Sequence, residues 1–140
     1  KMRFDLTITG PGMFSLRELF DLSLELGVRM ETKIMFAFHA DIVMSPFAWP
    51  RHILDTHIDN MLEYMEPRAT DNQMTLVNTL REMKTRPTFA EQWPDTHEQQ
   101  FKNGKGFQDR LDQIRQDQLR LEDIYKEDPA LHQWWTRHNG

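Results

Sequence analysis

The sequence predicts an α/β chain, mostly helical, in which one strand–helix–strand unit is followed by helices alone. Three observations predict it. Residues 2–9 alternate apolar and polar side chains, residues 15–26 carry an apolar stripe at helical spacing, and residues 30–38 alternate again. Beyond Trp49-Pro50 the apolar residues recur only at helical spacing. One such unit cannot complete a sheet, so the pattern predicts the βαβα end of a partial barrel carrying C-terminal helices.

The first strand is expected over Met2–Thr9, with Met2, Phe4, Leu6 and Ile8 on one face and Arg3, Asp5, Thr7 and Thr9 on the other. Gly10-Pro11-Gly12 ends it. Ser15 and Glu18 have the spacing of a capping box, and Leu16, Leu19, Phe20 and Leu26, widened by Leu22 and Leu24, give the next helix its buried stripe. Gly27 is a natural stop. The second strand, residues 30–38, sets Ile34, Phe36 and Phe38 against Lys33, Met35, Ala37 and His39. Strands joined through a helix are expected to lie parallel with a right-handed crossover. Parallel strands usually have both faces covered, so a polar face on the first strand fits a barrel with a wet interior.

Pro50 suits a first helical turn, and Leu54, Ile58, Met61, Leu62 and Met65 follow at helical spacing up to Pro67. Thr70 and Gln73 form a second capping box ahead of Leu76, Val77, Leu80 and Met83. Residues 86–105 are polar and broken by Pro87, Pro94 and Gly104, which predicts a loop with one short helix near Thr96–Asn103. Phe107, Leu111, Ile114 and Leu121 mark a further helix, and Asp128-Pro129 opens the last one, where one of Trp134 and Trp135 is expected to seal the core. The expected division is 1–67, the last βα units, and 68–140, a helical extension.

The 140 residues suffice for one domain with a core. A mean hydropathy of −0.70 is polar for such a domain and suits long surface helices or a core shared with other chain. Net charge is −5, so nucleic acid and anionic membrane are not expected partners. No apolar run approaches the roughly 20 residues of a membrane span. The strand-like opening Lys1-Met2-Arg3-Phe4 is no signal peptide and suggests an interior start; cytoplasm is the expected compartment. With no cysteine, disulfides and thiolate-held zinc or iron–sulfur centres are excluded within this segment.

Motif-bearing chemistry is sparse. His52 and His57 stand five apart, which places them on different helix faces and rules out an HExxH-type zinc pair. His97, His132 and His138 read as surface residues, and nine methionines, among them Met61, Met65 and Met83, read as core filling. No P-loop, GxSxG or GxGxxG occurs. His39 is the more telling histidine. It closes the second strand on the face of Lys33, and βα barrels bind ligands at the C-terminal strand ends.

One family resemblance gathers these pieces. The alternating strand, the capped helix, Leu26-Gly27-Val28, the second strand, and Met44-Ser45-Pro46 followed by Trp49-Pro50 resemble the late barrel of radical S-adenosylmethionine (SAM) enzymes of the twitch-domain subgroup. That subgroup carries a Leu-Ser-Pro-x-x-Leu-Pro connection, in which Met44 and Trp49 here replace the leucines. Residues 107–115, with Asp128-Pro129-Ala130-Leu131, are similar to the subgroup's C-terminal ending. The resemblance covers most of the chain apart from residues 86–105, and Asp41 stands near a position where relatives often have proline.

The resemblance implies a partial (βα)6 TIM-like barrel of which this chain supplies the fifth and sixth strands. The parent enzyme would hold a [4Fe-4S] cluster through a CxxxCxxC motif outside this chain, cleave S-adenosylmethionine reductively to a 5′-deoxyadenosyl radical and abstract hydrogen from a substrate. Thr7, Thr9 and His39 would contact the cofactor, and Arg3, Asp5 and Lys33 would line the substrate cavity. No metal ligand and no catalytic residue is expected here, the partner is the rest of the barrel, and the segment alone is expected to be inactive. Exposed strand edges also predict a tendency to aggregate. Two alternatives come from the residues themselves: a helical protein-interaction module acting through Trp134 and Trp135, and a small intact enzyme using His39 as base and Asp41 as its orienter.

Overall fold

Strands β1 (Arg3–Ile8) and β2 (Arg29–Ile34) pair in parallel, with Arg3 opposite Arg29, Asp5 opposite Glu31 and Thr7 opposite Lys33. The computed structural model describes residues 3–34, 44–114 and 121–137. Among these, the two strands form the whole sheet and helices make up most of the rest. Parallel pairing follows from the helical connection α1 (Leu16–Leu26), which returns the chain to the strand's starting end. The outer half of the second expected strand, with His39, and Asp41 beyond it lie outside the described residues.

The turn after β1 differs from expectation. Ser15 makes no capping hydrogen bond, because the chain enters α1 already coiled through a 3-10 turn, Pro11–Ser15. Thr9 takes the capping role instead: its hydroxyl oxygen accepts the Gly12 N–H at 2.9 Å. The stripe of α1 is also narrower than its leucines suggest. Leu16 and Phe20 are buried with Ser23, one helical face at i, i+4 and i+7, whereas Leu22 and Leu26 are 41% and 55% exposed. The Ser23 hydroxyl donates to the Val28 carbonyl at 2.5 Å and accepts from Gln73 Nε2 at 2.9 Å, so the buried polar atoms are satisfied. Gly27 ends the helix at φ 63°, the left-handed value expected of a glycine stop.

A 3-10 turn, Pro46–Ala48, leads to α2 (Arg51–Met65), preceded by Pro50 as expected. The second capping box forms: the Thr70 N–H donates to the Gln73 side chain at 2.8 Å and the Thr70 hydroxyl accepts from Asn72 N, ahead of α3 (Met74–Met83). The helix expected near Thr96–Asn103 forms, but residues 86–105 are more helical than the loop expected around it. Thr88 and Glu91 form another capping box that starts α4 (Phe89–Gln92), and α5 (His97–Ile114) runs unbroken through Gly104 and Gly106. A glycine costs a helix only about 1 kcal/mol relative to alanine. The burial of Phe101 against Trp134 and Trp135 outweighs it. Helices α6 (Leu121–Tyr125) and α7 (Pro129–Thr136) complete the chain, the latter capped by the Asp128 carboxylate on the Ala130 and Leu131 amides.

The core explains why the sheet is one-sided. Ile8 and Met30 are buried, Phe4, Leu6 and Ile34 are half-buried beside them, and α3 lies on β2. The Thr32 hydroxyl, on this covered face, meets Thr79 Oγ1 at 2.7 Å and the Thr75 carbonyl at 3.2 Å. Buried residues run as one cluster from Ile8 to Trp135, with Leu76, Val77 and Leu80 packed beyond the expected boundary at Pro67.

Candidate functional site

Alternation in β1 and β2 sends the remaining side chains to the opposite face. The parallel register then lays Arg3, Asp5 and Thr7 beside Arg29, Glu31 and Lys33. Five of them, Arg3, Asp5, Thr7, Glu31 and Lys33, border an open hollow of about 330 Å³. Within each strand one ion pair forms, Arg3 Nε to Asp5 at 3.2 Å and Arg29 Nε to Glu31 at 2.6 Å. Both are exposed and add little stability, the usual outcome for surface pairs.

Four of the six residues expected at a site, Arg3, Asp5, Thr7 and Lys33, therefore share this hollow. Thr9 does not: it lies past the end of β1 with its oxygen on Gly12. His39 lies outside the described residues. Arg29 and Glu31 are additions that the register supplies, and the alternation of residues 29–33 was the signal for them. Thr7 and Lys33 can donate hydrogen bonds and Asp5 and Glu31 can accept them. The chain has no cysteine to hold an iron–sulfur cluster. Among the described residues no His, Asp and Glu group has the arrangement of a metal site, and no helix is long and apolar enough to cross a membrane.

A second cluster was not legible in the sequence. The His57 ring, between Phe14 and Trp49 at centroid distances of 5.4 and 5.1 Å, has its Nε2 at 2.5 Å from Asp128 Oδ2. Burial works to raise the Asp128 pKa, but the bond to His57 and those from the Leu131 and Ala130 amides outweigh it and hold the carboxyl below its usual range. Beside them Trp49 Nε1 donates to the Tyr125 hydroxyl at 3.2 Å. Burial pushes the Tyr125 phenol well above its ordinary value, and the Trp49 bond offsets only part of this, so Tyr125 stays neutral. The cluster docks α6 and α7 onto the turn after β1; its polar atoms are mutually satisfied, which suits a tie between elements. His132, expected on the surface, is half-buried 3.4 Å from Glu122.

Comparison with protein-family models, with curated proteins and with solved structures found no match.

Proposed function

We propose that this chain is the closing segment of a radical S-adenosylmethionine enzyme, and that its polar strand face lines the cofactor and substrate cavity. The observation that carries this reading is the sheet itself: two parallel strands whose register gathers six polar side chains on a face that no described element covers, opposite an apolar face packed by α3. Parallel strands that show, among the described residues, one bare polar face and unpaired edges suit a sheet continued by other strands around a ligand. The motif resemblance supplies the family, and the donor set of the hollow suits part of the cofactor.

In this reading Thr7 and Lys33 orient polar groups of the bound molecules, and Asp5 and Glu31 accept from their hydroxyls. The helices behind the sheet keep that face rigid, and the enclosed barrel keeps water from the reaction. The cofactor, held with a cluster on other parts of the enzyme, supplies the hydrogen-abstracting radical.

The test is made on the full gene product. It should contain CxxxCxxC, purify with iron–sulfur absorbance, and release 5′-deoxyadenosine from S-adenosylmethionine under a strong reductant. Thr7→Val should weaken cofactor binding with helix content unchanged. A colourless protein without the cysteine motif contradicts the proposal.

A second reading, a helical interaction module, is favoured by one observation. Trp134, half-buried, borders a groove of about 310 Å³ with Ile53, His52 and Arg137. Capture of a partner lost on Trp134→Ala, together with absence of the cysteine motif, would favour it.

A further inference from the structure

Charge on the strand face is not balanced evenly along its length. It carries three cations, Arg3, Arg29 and Lys33, and two carboxylates, Asp5 and Glu31. Both carboxylates pair with the arginine two residues earlier in their own strand, at 3.2 and 2.6 Å. Lys33 is left over, exposed, with no carboxylate on its ammonium among the described residues. A chain of net charge −5 thus presents a local excess of one positive charge. That excess sits at the C-terminal end of the strand pair, the end at which parallel βα units bind ligands.

The neighbours of Lys33 narrow what can sit there. Its register partner Thr7 offers a hydroxyl on the same face of the hollow. Thr32 and Leu6, which also border the hollow, add little polar capacity, because the Thr32 hydroxyl is engaged by Thr79 and Leu6 is apolar. A lysine with a hydroxyl beside it suits an anion: the ammonium supplies a compact point charge and the hydroxyl a donor.

We infer that the ligand of this hollow carries an anionic group, a carboxylate or a phosphate, seated on Lys33 and Thr7. The inference rests on the strand face being a ligand surface. It adds the chemistry of the group bound there and the side chains that bind it.

The test uses acetate and inorganic phosphate as probes, titrated into this chain at low ionic strength and followed by amide NMR shifts, where screening is weakest. Saturable shifts centred on Thr7 and Lys33 are expected. Lys33→Gln should weaken them about fivefold, the scale of one exposed charge interaction. Lys126→Gln, whose charge is paired with Asp123 and which does not border the hollow, should leave the affinity unchanged. Tighter binding of phosphate indicates a phosphorylated ligand and tighter binding of acetate a carboxylate, and either supports the inference. Shifts that persist in Lys33→Gln, or spread alike over every surface cation, overturn it. The iron content of the full gene product separates the two claims: a cluster without the Lys33 effect removes this inference alone, and the Lys33 effect without a cluster removes the enzyme assignment alone.

Discussion

The turn after β1 and the polar face of β1 meet very different surroundings. Past its C-terminus, the Gly10 turn is enclosed by Trp49, Tyr125 and, behind them, Trp135, all fully or almost fully buried. Along the strand itself, Arg3, Asp5 and Thr7 face outward over an open hollow. The aromatic cluster closes its own hydrogen bonds, Trp49 on Tyr125 and His57 on Asp128. The strand face closes only its exposed ion pairs. The first region is finished within this chain, and the second is the face that the proposed function assigns to a ligand. Stability and function are thus expected to separate: substitutions in the cluster should unfold the protein, and substitutions on the strand face should alter only what it binds.

The largest effect is expected from Trp49→Ala, which empties a fully buried site and removes the donor to Tyr125. Urea unfolding should show a loss of about 3–5 kcal/mol; a loss under about 1 kcal/mol would mean that the cluster is not a closed core. Gly10→Ala comes next. A Cβ there would lie 2.6 Å from the Tyr125 hydroxyl and 3.1 Å from Trp49 Nε1, an overpacking that should cost about 1–3 kcal/mol in the same measurement. Asp128→Ala removes the cap of α7 and the partner of His57, and a loss of about 1–2 kcal/mol is expected; hydrogen exchange should quicken in α7 before the sheet.

Acid should act in the same direction. The hydrogen bond from Arg51 is the main cause that holds the Glu91 carboxyl at about 2, down from an ordinary 4.5. A carboxyl lowered on folding stabilises above its unfolded pKa and loses that contribution as pH falls through the folded one. Melting temperature should therefore drop between pH 4.5 and 2, with Asp128 adding to the drop in the same sense. Glu91→Gln should flatten part of the decline; an unchanged profile would detach Glu91 from stability. The smallest effect belongs to the strand face. Arg3→Gln should shift stability by no more than about 0.5 kcal/mol, and a larger loss would show that the face is already part of a finished core.

Much of this architecture was legible one residue at a time. Period-two alternation located β1 and named its polar face, Gly27 stopped α1, Thr70 with Gln73 opened the path to α3, and Asp128-Pro129 opened α7. These are local signals that act within a few residues. The failures have non-local causes. Ser15 looked like a cap because the 3-10 turn ahead of it carries no strong pattern. Gly104 looked like a breaker because the packing that stabilises α5 comes from Trp134 and Trp135, about thirty residues later in the sequence. His57 finds Asp128 across 71 positions, a distance no periodicity reports. For the strand face, sequence named the side chains of β1 and Lys33, but only the register brought Arg29 and Glu31 beside them.

Amide hydrogen exchange at β1 and β2 tests the central claim most directly, by comparing this chain with its full gene product. The account predicts that the edge amides of both strands exchange freely in the 140-residue chain and become strongly protected in the proposed parent enzyme, where further strands would take them as partners. Equal exchange rates in the two, or a gene product no longer than this chain, would contradict it.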